Sequence, residues 1–392
     1  MKAVGLIVEY NPFHNGHLHH LRESQKLTPG YVVIAVMSGH FTQRGEPAVV
    51  DKWRRTQMAL DTGIDLVVEL PYAYSTQHAA LFAKGAVSIL SHLKADCLIF
   101  GSEIGNISQL QQLEALTVSS PFQTLLKKHL ATGLSLPKAQ IQALTDLGMP
   151  PHMAKQPNNT LGLHYLRAIR ELDAPIVPET IPRIHSAYSE TAPNHESITS
   201  ATAIRSLLAE GAEMGAYVPE STLKRLTPEA VIPNWEPYFA SLRLKILTLG
   251  LDGLREIHDM KEGLEHRFYE AALTAENFEA LMATVKSKRY TRTRLQRICA
   301  HILTGTTATF IQAMELSNPA PYVRILGMSG AGRQYLKNIK KEMTVPIYSK
   351  FHQQGHPMLK HEQQVTAAYG SVLSPSRWTE LNVKEFSQYP VS

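Results

Sequence analysis

Two histidines, His14 and His17, flank Asn15 and Gly16 to give an H-x-G-H tetrapeptide near the start of a 392-residue chain. The residues just before it, Glu9 to Phe13, break an apolar run with Asn and Pro, and a helical pattern resumes after it. The tetrapeptide therefore sits on a strand-loop-helix corner, with Gly16 where the backbone passes close to something bulky. A helix N-terminus presents unpaired N–H groups and the positive end of a dipole, and two imidazoles beside it add donors that suit a polyphosphate. The ligand this chemistry predicts is a nucleoside triphosphate, with both histidines open to it and to solvent.

Other readings of the pair are plainer. A zinc site would want a thiolate or an acidic ligand at the usual spacing, and none is near. Loop histidines without a partner are the bland alternative, in a chain that holds 18 histidines.

A second cluster runs from Ser197 to Arg205 and reads SITSATAIR. Hydroxyls such as Ser200 and Thr202 at a helix start, backed by the Arg205 guanidinium a turn later, make a second phosphate cradle. Simple N-capping is the alternative for the hydroxyls. Capping is equally the plain role for one of the adjacent pair Asn158 and Asn159, which opens another helix and leaves the other asparagine available. No Ser–His or Cys–His nucleophile pair stands out.

The elements that must position these residues follow from periodicity. Ala3–Val8, Tyr31–Met37, Ile64–Leu70 and Asp96–Phe100 are short apolar runs that suit buried strands. Helical patterns separate them at Gly16–Leu27, Asp51–Leu60 and Gln77–Leu93. Strands alternating with helices imply a parallel, doubly wound α/β sheet, whose ligands gather at the carboxyl ends of the strands. Those ends deliver Asn11 to His17, then Ser38, Gly39, Gln43 and Arg44, then Glu69 and Pro71, then Gly101 and Ser102.

Beyond about residue 215 strand signals fade and helical patterns dominate. Lys286 to Arg297 reads KSKRYTRTRLQR, with six basic residues, no acidic one, and Tyr290 among them. Lys286, Lys288, Arg289, Arg292, Arg294 and Arg297 could grip RNA phosphates while the aromatic stacks a base. A solvated basic face is the alternative. Arg333, Lys337, Lys340 and Lys341 form a second, sparser basic stretch.

Composition agrees with a folded globular protein: 44% of residues are hydrophobic, 19% are charged, and the net charge of +5 is concentrated in the C-terminal half. No apolar stretch approaches the roughly 20 residues a membrane span needs, and the N-terminus reads as a core strand instead of a signal peptide. The two cysteines, Cys97 and Cys299, lie far apart. A cytoplasmic protein with no membrane partner is expected.

The string GLIVEYNPFHNGHLHHL, Gly5 to Leu21, resembles the H-x-G-H nucleotidyltransferases and, more narrowly, the tRNA(Met) cytidine acetate ligase family. Wider nucleotidyltransferases carry I-S-S-T-x-I-R where this chain has Ile198, Thr199, Ser200, Ala201, Thr202 and one further residue before Ile204 and Arg205. That departure looks like the acetate ligase version. EGLEHR and PYVRILG in the C-terminal half are also similar to strings of that family.

The resemblance implies a Rossmann-like parallel sheet over residues 1–215, carrying the ATP-binding catalytic site, and a mainly helical, tRNA-binding extension over residues 216–392. It implies ATP as substrate with Mg²⁺ as companion ion, and acetate activated to acetyl-adenylate. The acetyl group then passes to the wobble cytidine of elongator tRNA(Met), giving N4-acetylcytidine. His14, His17 and Arg205 would be catalytic. ATP contacts would come from Ile7, Val8, Glu9, Tyr10, Asn11, Pro12 and Phe13, from Asn15, Gly16, Leu18, His19 and His20 around the two histidines, and from Gly101, Ser200 and Thr202. Asn158 or Asn159, with the choice open, and Arg183, with His185 a possible neighbour, complete the set. A small-molecule adenylyltransferase making a dinucleotide cofactor is the alternative enzyme, and an RNA-binding module with a degenerate nucleotide site is a third reading.

Overall fold

The computed structural model describes residues 1–150, 156–183 and 198–392; His185 and Ser197 lie outside them. The apolar runs are strands, β1 Ala3–Val8, β2 Val32–Ser38, β3 Leu66–Leu70 and β4 Cys97–Ser102. Val177–Pro182 adds β5. Together with β6 Val323–Met328 and β7 Ile347–Tyr348 they form one seven-stranded sheet in the order β5-β4-β1-β2-β3-β6-β7.

Side chains alternate across this sheet, and both faces are covered. Ile34 and Val36 of β2 enter one core with helix Ala79–His92, while Val33, Ala35 and Met37 enter the other with Leu21 of helix α1, Asn15–Leu27, and Met58 of helix α2, Lys52–Asp61. Burial on both faces is why these strands read as continuous apolar runs in place of alternating ones. Strands β1 to β5 pair in parallel, so their carboxyl ends share one edge.

The sheet crosses the division expected at residue 215. PYVRILG becomes β6, which pairs antiparallel with β3. The helices from residue 239 onward build a third core, into which Phe41, Trp53 and Tyr72 of the first half are inserted. Among the described residues no helix is long and apolar enough to cross a membrane.

A buried ion network fixes the two halves together. Lys52 of α2 lies 2.7 Å from Glu69 of β3 and 2.6 Å from Glu385 near the C-terminus, and Arg324 of β6 lies 3.0 Å from Glu69 and reaches Glu385 as well. All four side chains are almost wholly buried. Two cations thus face two anions. The nearby Glu362 carboxyl is pushed up by burial and then by Glu69, and it accepts the Tyr72 N–H. Removing one member of such a set strands a charge in the interior, at a cost of about 3–5 kcal/mol. Arg324→Met should therefore lose about that much stability in denaturant titration, whereas an unchanged midpoint would mean that the network contributes nothing.

Candidate active site

The carboxyl edge of the parallel strands opens into a cavity of about 290 Å³. Its floor is the corner after β1. His14 is the N-cap of α1: its Nδ1 accepts the Gly16 N–H at 3.0 Å, and the Nδ1 of His17 accepts the His14 N–H at 3.2 Å. This is a capping box built from imidazoles where a Ser and a Glu usually serve. A Cβ on Gly16 would lie 2.8 Å from Cε1 of the His14 ring, so the bulky group that the glycine makes room for is the first histidine itself. The two rings lie 3.7 Å apart.

Reciprocal capping fixes protonation. With each Nδ1 accepting a backbone N–H, each neutral ring must carry its proton on Nε2. Burial, then the charges of Arg183 and Arg205, push the His14 pKa down to about 3, and burial together with His14 and Arg183 holds His17 well below its ordinary value. Both histidines are neutral hydrogen-bond donors at physiological pH. His14 is only 7% exposed, so the expectation that it stands open to solvent is corrected: ring and helix cap are one structure.

Arg205 comes from helix Ala201–Glu210, whose start faces the same cavity. The guanidinium donates to the Asn11 carbonyl at 3.2 Å and to the Thr202 hydroxyl at 3.3 Å, and pairs with Glu46 at 2.9 Å. Ser200 is the N-cap and accepts the Ala203 N–H, so capping and cavity lining coexist in one residue. The hydroxyl of Thr199, 1% exposed, has no partner among the described residues. The two predicted phosphate cradles thus face one another.

Part of the lining is apolar. Phe82, Phe100, Leu161 and Tyr165 form it, and Gly162 admits the Phe100 ring, which a Cβ there would meet at 2.5 Å. Gly101, at the end of β4, lies beside the stem of Arg183, just after β5, and the Arg183 charge acts on His14 and His17. A hydrophobic part and a cationic part in one cleft match a nucleotide, base at one side and phosphates at the other.

Most of the predicted site residues line the cavity, including Ile7, Val8, Glu9, Tyr10, Asn11, His19 and His20, but five do not. Phe13 is fully buried against Tyr10 and His17, and Pro12 is buried beside it. Asn15 is turned to Ala216, to which its amide donates at 2.9 Å, and Leu18 packs on the core. Of the two asparagines, only Asn158 lines the cavity. Asn159 is 1% exposed and its oxygen accepts the N–H groups of Glu103 and Ile104 at 3.0 and 3.1 Å, which holds the loop after β4. Asn158 lines the cavity, its amide donating to Glu103 at 2.7 Å.

Glu46, Phe82, Thr160, Leu161 and Tyr165 also line the cavity without having been singled out. The aromatic and leucine positions look like ordinary core in a helical pattern. Glu46 had only its place two residues after Arg44 to mark it. Among the described residues no group of three His, Cys, Asp or Glu is arranged to hold a metal ion.

The basic segment is less available than its sequence suggests. Arg292 pairs with Glu279, Arg294 with Asp259 at 3.0 Å, and Arg289 with Glu262 at 2.9 Å. Tyr290 is 6% exposed, its hydroxyl donates to Glu262, and Arg294 lies over its ring, so it is not placed to stack a base. Lys286, Lys288 and Arg289 are exposed, while Arg297 is half-buried. The segment does border the cleft: a Cβ on Gly45 would lie 2.4 Å from the Arg297 nitrogen, so its helix is pressed against the loop that carries Arg44 and Glu46. The second basic stretch lies at the other edge of the sheet. Its helix, Gly330–Ile339, is anchored by the Tyr335 hydroxyl on the carbonyls of Leu93 and Lys94, just before β4.

Comparison with known proteins bears on family and fold. The HIGH Nucleotidyl Transferase family model matches residues 1–384. The tRNA(Met) cytidine acetate ligase of Anoxybacillus flavithermus is 44% identical, with 100% of both chains covered. That of Bacillus subtilis is 39% identical, covering 100% of this chain and 97% of its own. Among solved structures, apo Thermotoga maritima TmcAL superposes with a TM-score of 0.91 at 30% identity, covering 100% of this chain and 99% of that one. The same protein bound with alpha-thio ATP gives 0.88.

The dual role of His14 can be separated by mutation. Asparagine is itself a good N-cap but ends short of the His14 Nε2, so His14→Asn should keep stability within about 0.5 kcal/mol while losing turnover. His14→Ala should lose turnover and also about 0.5–2 kcal/mol of stability. Paired denaturation and activity measurements check this, and an active His14→Asn variant would remove the imidazole from the chemistry.

Proposed function

The chain belongs to the tRNA(Met) cytidine acetate ligase family of HIGH nucleotidyl transferases, and from that membership we propose that it activates acetate with ATP and transfers the acetyl group to the wobble cytidine of elongator tRNA(Met). The observation that carries this reading is the facing pair of cradles, two neutral imidazole donors on one wall and Arg205 on the other.

In this reading the adenine lies at the Phe100 and Tyr165 end and the triphosphate runs toward His14, His17 and Arg205. Acetate attacks the α-phosphorus, pyrophosphate departs, and acetyl-adenylate remains. The protein supplies position and charge, with no covalent intermediate of its own. The Nε2–H groups donate to phosphate oxygens, and Arg183 and Arg205 balance charge that neutral imidazoles cannot. Mg²⁺ would enter as the companion ion of ATP, held chiefly by the phosphates. Reaction in the cytoplasm fits such substrates.

The tRNA would approach over the loop Gln43–Glu46, beside the basic segment. Exposed ion pairs such as Arg292–Glu279 are worth about 0–1 kcal/mol, so exchanging the carboxylate for an RNA phosphate costs little. Lys286, Lys288 and Arg289 are the outermost cations there.

Pyrophosphate release from ATP tests the reading directly. It should require acetate, and net acetylation should further require methionine tRNA; release that ignores acetate would refute it. Arg205→Lys keeps the charge but loses the bidentate fork. Turnover should fall roughly 10- to 100-fold with a smaller change in ATP affinity. Replacing Lys286, Lys288 and Arg289 with Gln should lower the slope of log affinity for tRNA against log salt by about 2–3. Adenylate formation should continue in that triple variant, and an unchanged slope would return the segment to a merely solvated face.

A further inference from the structure

Acetyl transfer to an amine leaves a surplus proton, and the cavity holds few groups able to take it. His14 and His17 have spent their acceptor nitrogens on backbone N–H groups. Glu46 is held in an ion pair with the Arg205 guanidinium at 2.9 Å. Glu103 beside the nucleotide end accepts from Asn158 and from the Asn159 N–H.

Glu9 differs from all of these. Its Oε1 accepts the Gln43 N–H at 2.8 Å, whereas Oε2 makes no hydrogen bond among the described residues, and Glu9 lines the cavity. Its backbone is fixed too: the buried Arg55 guanidinium donates to the Glu9 carbonyl at 2.8 Å and to those of Ser38 and Val50. Its bond to Gln43 ties the carboxyl to the loop Gln43–Glu46, whose Gly45 is pressed against the helix that carries Arg297.

Resting on the function proposed above, we infer that Glu9 is the general base of the second half-reaction. The exocyclic amine of cytidine attacks the acetyl carbonyl carbon and the C–N bond forms. The bond from that carbon to the phosphate-bound oxygen breaks, and AMP leaves with the electron pair. The surplus proton of the amine passes to Glu9 Oε2 and then to solvent.

The surroundings suit the task. Burial raises the Glu9 pKa above the ordinary carboxylate value, the Gln43 N–H lowers it, and Glu46 raises it while Arg44 and Arg205 lower it; Arg55 is the remaining charge that faces it. A carboxylate moved up toward neutrality is a better proton acceptor than an exposed one.

The test is Glu9→Gln in the full chain, with the two half-reactions measured apart. Acetate-dependent ATP–pyrophosphate exchange without tRNA reports the first. Single-turnover transfer from enzyme-bound acetyl-adenylate to methionine tRNA, followed across pH, reports the second. Transfer should fall about 100-fold or more, and exchange by a clearly smaller factor. In the wild type, transfer should rise with pH as the carboxyl ionises, and that limb should vanish in the Gln variant. Equal loss in both half-reactions, or transfer that keeps its rate and pH limb, would overturn the role. Absence of acetate-dependent exchange in the wild type would instead overturn the functional reading beneath it.

Discussion

The reciprocal cap at the start of α1 constrains everything else in the cleft. Because His14 and His17 each accept a backbone N–H through Nδ1, neither ring can gain a proton without breaking the helix start. A doubly protonated imidazole would attract phosphate more strongly, but the fold forbids it between Arg183 and Arg205. In the function proposed, the imidazoles orient phosphate by donating from Nε2, and the guanidiniums neutralise it. Gly16 is part of the same constraint, since any side chain there would displace the capping ring.

The rigid frame around that corner comes from burying charge as much as from apolar packing. Lys52, Glu69, Arg324 and Glu385 join α2, β3, β6 and the last helix, and Arg55 ties the ends of β1 and β2 through their carbonyls. The C-terminal half is therefore built into the sheet that carries the site. The helix of the basic segment on that half packs against the loop that borders the cleft, at Gly45.

Features encoded by nearest neighbours were legible in the sequence. Four strands, the helices between them and the H-x-G-H corner follow from periodicity and from Gly, Pro and His chemistry within a few residues. What was not legible depends on partners distant in the chain. Asn158 and Asn159 look alike until the backbone donors of Glu103 and Ile104 claim the second. Tyr290 reads as a stacking platform until Glu262 binds its hydroxyl, and the cations around it read as free until Asp259, Glu262 and Glu279 arrive from other helices. The strand β6 was hidden because Arg324 interrupts its apolar run, a charge that only the buried carboxylates make tolerable.

The central claim is that acetate attacks the α-phosphorus and that its oxygen stays with the adenylate when the acetyl group leaves. Acetate labelled with heavy oxygen in its carboxylate tests this by mass spectrometry of the products formed with ATP and methionine tRNA. The account predicts one labelled oxygen in AMP and none in pyrophosphate. Label in pyrophosphate or inorganic phosphate, or unlabelled AMP alongside acetylated tRNA, would contradict it.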